Sequence, residues 1–163
     1  MIVIKSNANE PIEVDLDTLE GAKLENLNLH RVLLQGENLQ GASFIGSELR
    51  AAELDGANLS YTNFNGVNMI GIWAENANFK NSNLKNAWLF GAHVENAEFE
   101  NADLNGADVQ NAKFQGANLL GAIMLCNKIE DADFTGAFFD NNTKWPEGFN
   151  PIAKGAKKIS CKS

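Results

Sequence analysis

From Leu19 to Phe139 a large apolar residue returns at every fifth position, through 25 consecutive slots. Leu or Phe fills 19 of them, so the recurrence is not a matter of general hydrophobicity; the others are Met69, Ala74, Val94, Val109, Met124 and Ile129. With that slot written as i, Ala holds 15 of the 24 positions at i−2, from Ala22 to Ala137. Twelve of the fourteen glycines stand at i+2, where Asn is the main substitute. The unit is clearest in AEFENADLNGADVQNAKFQGANLLGA, residues 97–122.

An α-helix cannot use this pattern, because residues five apart rotate by about 140° and would scatter the apolar positions around the cylinder. Locally extended backbone can use it. There i−2 and i point to one side and i−1 and i+1 to the other. The i+2 residue then turns the corner, and Gly and Asn most easily adopt the positive φ that many turns need. Each pentapeptide is therefore a short edge and a bend. Four such edges close a square coil of 20 residues, and stacked coils bury the i and i−2 side chains in a central column. One repeat alone buries nothing, which is why such repeats come in arrays.

The runs ADLNG, ANLLG, ANLSY and ANFKN resemble the A(D/N)LXX pattern of the pentapeptide-repeat family, over residues 19–140. The resemblance implies an all-β fold, a right-handed quadrilateral β-helix of about six coils; the handedness comes from the family and not from spacing. With about 4.8 Å between stacked strands, six coils make a rod of roughly 29 Å. Residues 20 apart should then be vertical neighbours. One column reads Leu24, Phe44, Phe64, Leu84, Leu104, Met124, and another Leu34, Leu54, Ala74, Val94, Phe114, Phe134. Ala74 is the small member of the second column, and Ile72 stands two residues earlier where Ala is usual. The two exchange large for small within one edge and roughly conserve core volume.

Residues 1–18 read as an N-terminal cap: Ile2 and Ile4, then Ile12, Val14 and Leu16, alternate as strands do around the turn SNANEP. An open solenoid end is an unpaired edge that needs cover. Glu37, in an inward slot of the irregular first coil, has no explanation in the pattern beyond an exposed base or a bulge. At the far end, residues 141–163 read as a capping tail with a basic, frayed terminus, and the TKWPEGFNP segment resembles the ending of many cyanobacterial members of the family. Trp145, Pro146, Phe149, Pro151 and Ile152 are expected to pack against an outward apolar set of Leu120, Ile123, Leu125 and Phe138.

The net charge of −8 divides unevenly. Residues 1–140 hold 8 basic against 20 acidic side chains, and residues 141–163 hold 5 against 1. An acidic rod repels phosphates, so no direct nucleic-acid binding is expected. No stretch has the length of a membrane span, and the N-terminus lacks the basic start and long apolar run of a signal peptide. Cys126 and Cys161 form no metal or redox motif, so the expected setting is a reducing cytoplasm.

Two groups of outward residues depart from the polar rule. Ile70, Trp73, Trp88 and Phe90 are expected to form an apolar patch around one corner of the fourth and fifth coils, a candidate partner site. Asp55, Glu75 and Glu95 stack in an i+1 column with Glu53 at its foot, while Glu95, Glu98, Glu100, Asp103 and Asp108 girdle one coil. Like charges at strand spacing cost some stability, although a solvated face accounts for them.

No constellation carries chemistry. An array without inserted loops offers flat walls and not a concave, water-excluding site. His30 and His93 stand in different columns, and exposed carboxylates lack the burial that raises an acid's pKa. No catalytic residue, cofactor or metal ligand is assigned, and carboxylates without ligand spacing would attract Ca²⁺ only weakly. The expected function is a monomeric, non-catalytic scaffold for an unidentified protein partner. The resemblance implies an alternative, since some pentapeptide-repeat proteins mimic duplex DNA and occupy DNA gyrase. The acidic faces allow this; the absence of an inserted loop and a C-terminus like a monomer's cap argue for the scaffold.

Overall fold

A computed structural model describes residues 1–160, so Cys161 lies outside the described residues. The array is a right-handed quadrilateral β-helix. Its coils join through parallel backbone pairing at a step of twenty, as in Lys23↔Ser43↔Asn63↔Asn83↔Asp103↔Ile123. Leu24 N–H donates to Ser43 O at 2.8 Å and Ser43 N–H to Ala22 O at 2.9 Å, and the same alternation climbs all four walls.

The corners lie where the sequence puts Gly and Asn. Every i+2 residue from 21 to 121 has positive φ, and the side-chain-bearing ones are Asn in seven cases, the others being Arg31, Ala51 and Tyr61. The edges also explain the Asn or Asp at i−1. Its side-chain oxygen accepts the N–H of the i+1 residue, as in Lys80 N–H to Asn78 Oδ1 at 3.0 Å and Gln110 N–H to Asp108 Oδ1 at 3.1 Å. An Asn or Asp two residues before a backbone donor is well placed for this local bond.

The core is a column of buried, mainly apolar side chains. Leu24, Phe44, Phe64, Leu84, Leu104 and Met124 are all fully buried, and so are Ile72 and Ala74. Burial of each Leu or Phe contributes roughly 1.5–3 kcal/mol before conformational entropy is set against it. Where a hydroxyl replaces Ala at i−2 it finds a backbone carbonyl: Ser47 Oγ donates to Leu24 O at 2.7 Å and Thr62 Oγ1 to Leu39 O at 3.0 Å, both in the coil below, and Ser82 Oγ to Phe79 O of its own coil at 2.7 Å. The polar slots are therefore satisfied, as buried donors must be.

Within residues 19–140 the coil-to-coil pairing departs from a step of twenty at one place. Asp108 pairs with Asn127, a step of nineteen, before Lys113↔Asp133 restores twenty. Cys126 turns inward in place of a corner, and its Sγ lies 3.4 Å from Leu104 O. Asn127 is exposed. Lys128 takes the left-handed conformation, and a 3-10 turn over Ile129–Asp131 recovers the lost residue so that Ile129 still reaches the core. An unbroken array across this segment does not occur, because Asn127 would carry an unpaired amide into the column.

At the base, β1 (Ile2–Ile4) and β2 (Ile12–Val14) form an antiparallel hairpin. The residues after β1 run antiparallel to the first coil, with Leu33 N–H donating to Lys5 O at 2.8 Å and Asn7 N–H to Arg31 O at 3.0 Å. Glu37 is exposed, beside a groove of 330 Å³ between the hairpin and Leu34. It faces solvent at the base, and no bulge is needed to place it.

At the other end the tail folds back, but onto a different surface from the one expected. Trp145 meets Phe134 and Phe139 edge-on, with centroids 5.4 and 5.6 Å apart, and stacks on Phe149 at 5.2 Å. These rings close the open end of the core column. The outward Leu125 and Phe138 remain exposed, as does Ile152. Burial of the Phe134 and Phe139 faces at the end of the column favours this seat. β3 (Phe138–Phe139) then pairs in parallel with β4 (Lys157–Lys158), placing Lys157 Nζ 5.9 Å from the centre of the Phe138 ring. The described residues contain no α-helix, and none is long and apolar enough to cross a membrane.

Candidate functional site

Two adjoining walls meet at the corner formed by Gly71 and Gly91. On one, Ile70 and Phe90 occupy successive coils, with Gly71 N–H donating to Phe90 O at 2.9 Å, and Trp88 lies on the same wall between Asn68 and Asp108. On the other, Glu53, Trp73, His93 and Lys113 form one vertical column. Trp73, Trp88 and Phe90 are 44%, 57% and 42% exposed and Ile70 is half-buried, so the aromatic edges face water around this corner.

Trp73 changes its surroundings in two ways. Its indole stacks on the His93 imidazole, with centroids 4.0 Å apart and planes 17° from parallel. It also occupies an i−1 position where Asn or Asp elsewhere accepts the i+1 N–H. The orphaned Glu75 N–H instead donates to Asp55 Oδ1 of the coil below, at 2.8 Å. The Asp55–Glu75 part of the acidic column is thereby joined by a bond, and is more than two charges held in proximity.

The acidic girdle is less bare than its sequence suggests. Lys80 Nζ lies 3.5 Å from Glu98 and 3.2 Å from Glu100, Lys85 Nζ 3.2 Å from Asp103, and Lys128 Nζ 2.7 Å from Asp108. The Glu100 hydrogen bond, against some desolvation and with help from Glu98, raises the Lys80 pKa above its ordinary value. For Asp108, burial pushes upward, but the Lys128 and Gln110 hydrogen bonds and the Lys128 charge outweigh it and hold the carboxyl low. Surface pairs of this kind add little stability; their effect here is to offset three of the belt's five negative charges.

A grouping that the sequence reading missed lies beside the corner. Glu75, His93 and Glu95 bring one donor atom each to within 4.8 Å of the other two, and His93 Nδ1 is 3.5 Å from Glu95 Oε1. The signal for it was present: His93 and Glu95 are i−1 and i+1 of one edge and so share a side, and Glu75 lies twenty residues below Glu95. His93 stands far from His30, but its partners are carboxylates.

The remaining concavities are shallow. Besides the base groove, one of 330 Å³ is lined by Glu98, Gly116, Asn118, Leu120, Phe138 and Ile159. It contains no nucleophile with an adjacent base. Burial, and then the nearby Asp103, push the Cys126 thiol far up, which makes it a poor nucleophile.

A family model for pentapeptide repeats matches the chain in eight copies, over residues 38–72, 82–121 and 102–141, more than half its length. Similar solved structures include a pentapeptide repeat protein of the Arabidopsis thaliana thylakoid lumen, 18% identical over 60% of this chain and 71% of that one, with a TM-score of 0.48. Rfr23, a pentapeptide repeat protein of the cyanobacterium Cyanothece 51142, is 29% identical over 78% of this chain and 86% of its own, with a TM-score of 0.41. QnrB1, a plasmid-mediated fluoroquinolone resistance protein, in a trypsin-treated form, is 22% identical over 90% and 88%, with a TM-score of 0.43. The comparison with curated proteins gives no match.

Proposed function

We propose, from the premise that the chain belongs to the pentapeptide-repeat family, that it is a non-catalytic scaffold that binds a protein partner through the corner of Ile70, Trp73, Trp88 and Phe90. The observation that carries this reading is the exposure of three aromatic side chains around one corner of an otherwise polar wall. Aromatic side chains in a contiguous group are the usual anchors of a protein interface. The neighbouring Asp55, Glu75 and Glu95 column gives the partner its chemistry: apolar side chains flanked by Lys or Arg, since complementary charge selects partners and speeds encounter. The same reading takes the chain as a monomer in the cytoplasm, with Cys126 as a buried free thiol.

The test is affinity capture from the native host with the full chain and with a W88S/F90S variant. Loss of a specific partner with an unchanged melting temperature supports the reading. Equal recovery by the variant overturns it. The DNA-mimic alternative is disfavoured by the pairing of Lys80, Lys85 and Lys128 with Glu98, Glu100, Asp103 and Asp108. Inhibition of gyrase supercoiling by the added protein at micromolar concentration would reinstate it.

A further inference from the structure

We propose that Glu75, His93 and Glu95 form a surface site for a divalent transition-metal ion, with Zn²⁺ as the ion of choice. The three side chains project from one wall over two successive coils. Glu95 stands directly above Glu75, and His93 stands beside Glu95 on the same edge. One donor atom from each lies within 4.8 Å of the other two. The 3.5 Å between His93 Nδ1 and Glu95 Oε1 is close to the roughly 3.3 Å that separates neighbouring ligands around a tetrahedral zinc ion with bonds of about 2.0 Å. An ion could therefore enter with small rotamer changes and no movement of the backbone.

The donor set selects the class of ion. The imidazole favours a transition-metal ion over Ca²⁺ and Mg²⁺, which prefer all-oxygen donor sets, and three protein ligands with an open fourth position suit tetrahedral Zn²⁺. The set is also held in place. The His93 and Glu95 side chains are only 19% and 20% exposed, Trp73 lies flat against the imidazole at 4.0 Å, and the Glu75 backbone is tied to Asp55. Such outer contacts orient ligands and raise affinity.

A separate observation points to a cation. Glu95 Oε2 is buried with no hydrogen-bond partner, and Oε1 of Gln115, the next residue up the same column, is also buried and unpartnered. A buried carboxylate oxygen without a donor is an expensive arrangement, and a cation held by Glu95 relieves it. A simple His93–Glu95 ion pair, made through Oε1, leaves Oε2 unexplained. With three protein ligands, the fourth position faces solvent, open to water or to a side chain of another protein. The site rests on Glu75, His93 and Glu95 alone and stands whether or not the aromatic corner binds a partner.

The test is calorimetric titration of the full chain with Zn²⁺ in a C161S background, which removes the one thiol outside the described core. Co²⁺ absorption serves as a spectroscopic readout. One saturable site is expected, together with visible Co²⁺ bands. H93A, E75Q and E95Q should each weaken Zn²⁺ binding at least tenfold and lose the bands, with melting in the absence of metal unchanged; H30A should bind as the parent does. Absence of a saturable heat at millimolar Zn²⁺, or binding by H93A as tight as the parent's, would overturn the site.

Discussion

The Phe44 and Phe64 rings stack with centroids 5.1 Å apart and planes 10° from parallel. Phe64 also leans on Phe79 at 6.0 Å, so one ring joins a vertical contact to a lateral one at the centre of the column. F64A would remove both and leave a cavity in a close-packed core. Its expected cost is about 3–5 kcal/mol in urea unfolding. In a double-mutant cycle, F44A and F64A should cost less together than the sum of the two, because they share the contact.

Tyr61 turns a corner at φ +58° while its side chain is 63% exposed. The backbone there favours Gly or Asn, and a large residue in the left-handed region is strained by roughly 1 kcal/mol. Y61N should therefore stabilise the protein by about 0.5–1 kcal/mol, read as a rise in melting temperature. An unchanged or lower melting temperature would mean that the ring makes up its strain through contacts on the wall.

Trp145 closes the column against Phe134 and Phe139. W145A should cost about 3 kcal/mol and uncover both rings together with the top edge of the coil. An uncovered edge and apolar end favour association. The variant is expected to melt earlier and to scatter light at concentrations where the parent stays clear.

Asp140 anchors the turn into that cap. Burial pushes its carboxyl upward, but the Gly121 N–H, the Thr143 hydroxyl and the N–H groups of Asn142 and Thr143 outweigh it, and the folded pKa falls below the ordinary 3.8. A folded-state pKa below the unfolded one adds stability that is fully present above about pH 4 and is lost as pH falls through the lowered value. D140N should thus be less stable than the parent at pH 7, and the gap should narrow as unfolding is measured at pH 4, 3 and then 2. A gap independent of pH would show that the cap relies on shape and not on charge.

How much of this was legible in advance depends on the range of the interaction concerned. The Phe44–Phe64 stack, the pairing of Ile72 with Ala74 and the corners at Gly and Asn follow from the repeat alone. Alternation, corner conformation and the need to fill one column all restrict the same five residues, and they agree. The exposure of Trp73, Trp88 and Phe90 follows equally, since i−1 and i+1 positions have nowhere inward to go.

Where two placements differ by only a few contacts, the periodicity is silent. The i−2 slot at Asn127 asked for a small apolar residue; Cys126 supplied one a residue early, and the 3-10 turn over Ile129–Asp131 absorbed the difference. The rings of the tail chose the end of the column, where they cover Phe134 and Phe139, over the wall of Leu125 and Phe138. The meeting of Glu75 with His93 and Glu95, and the lysines on the acidic girdle, depend on the directions that outward side chains take across neighbouring coils. The sequence by itself determined the five-residue edge, the twenty-residue step and, apart from Glu37, Cys126 and Asn127, which side chains enter the column, because burial at a fixed period restricts them all at once. The tertiary structure alone decided the slip, the seat of the cap and the pairing of charges, because each is a contest between distant groups of nearly equal worth.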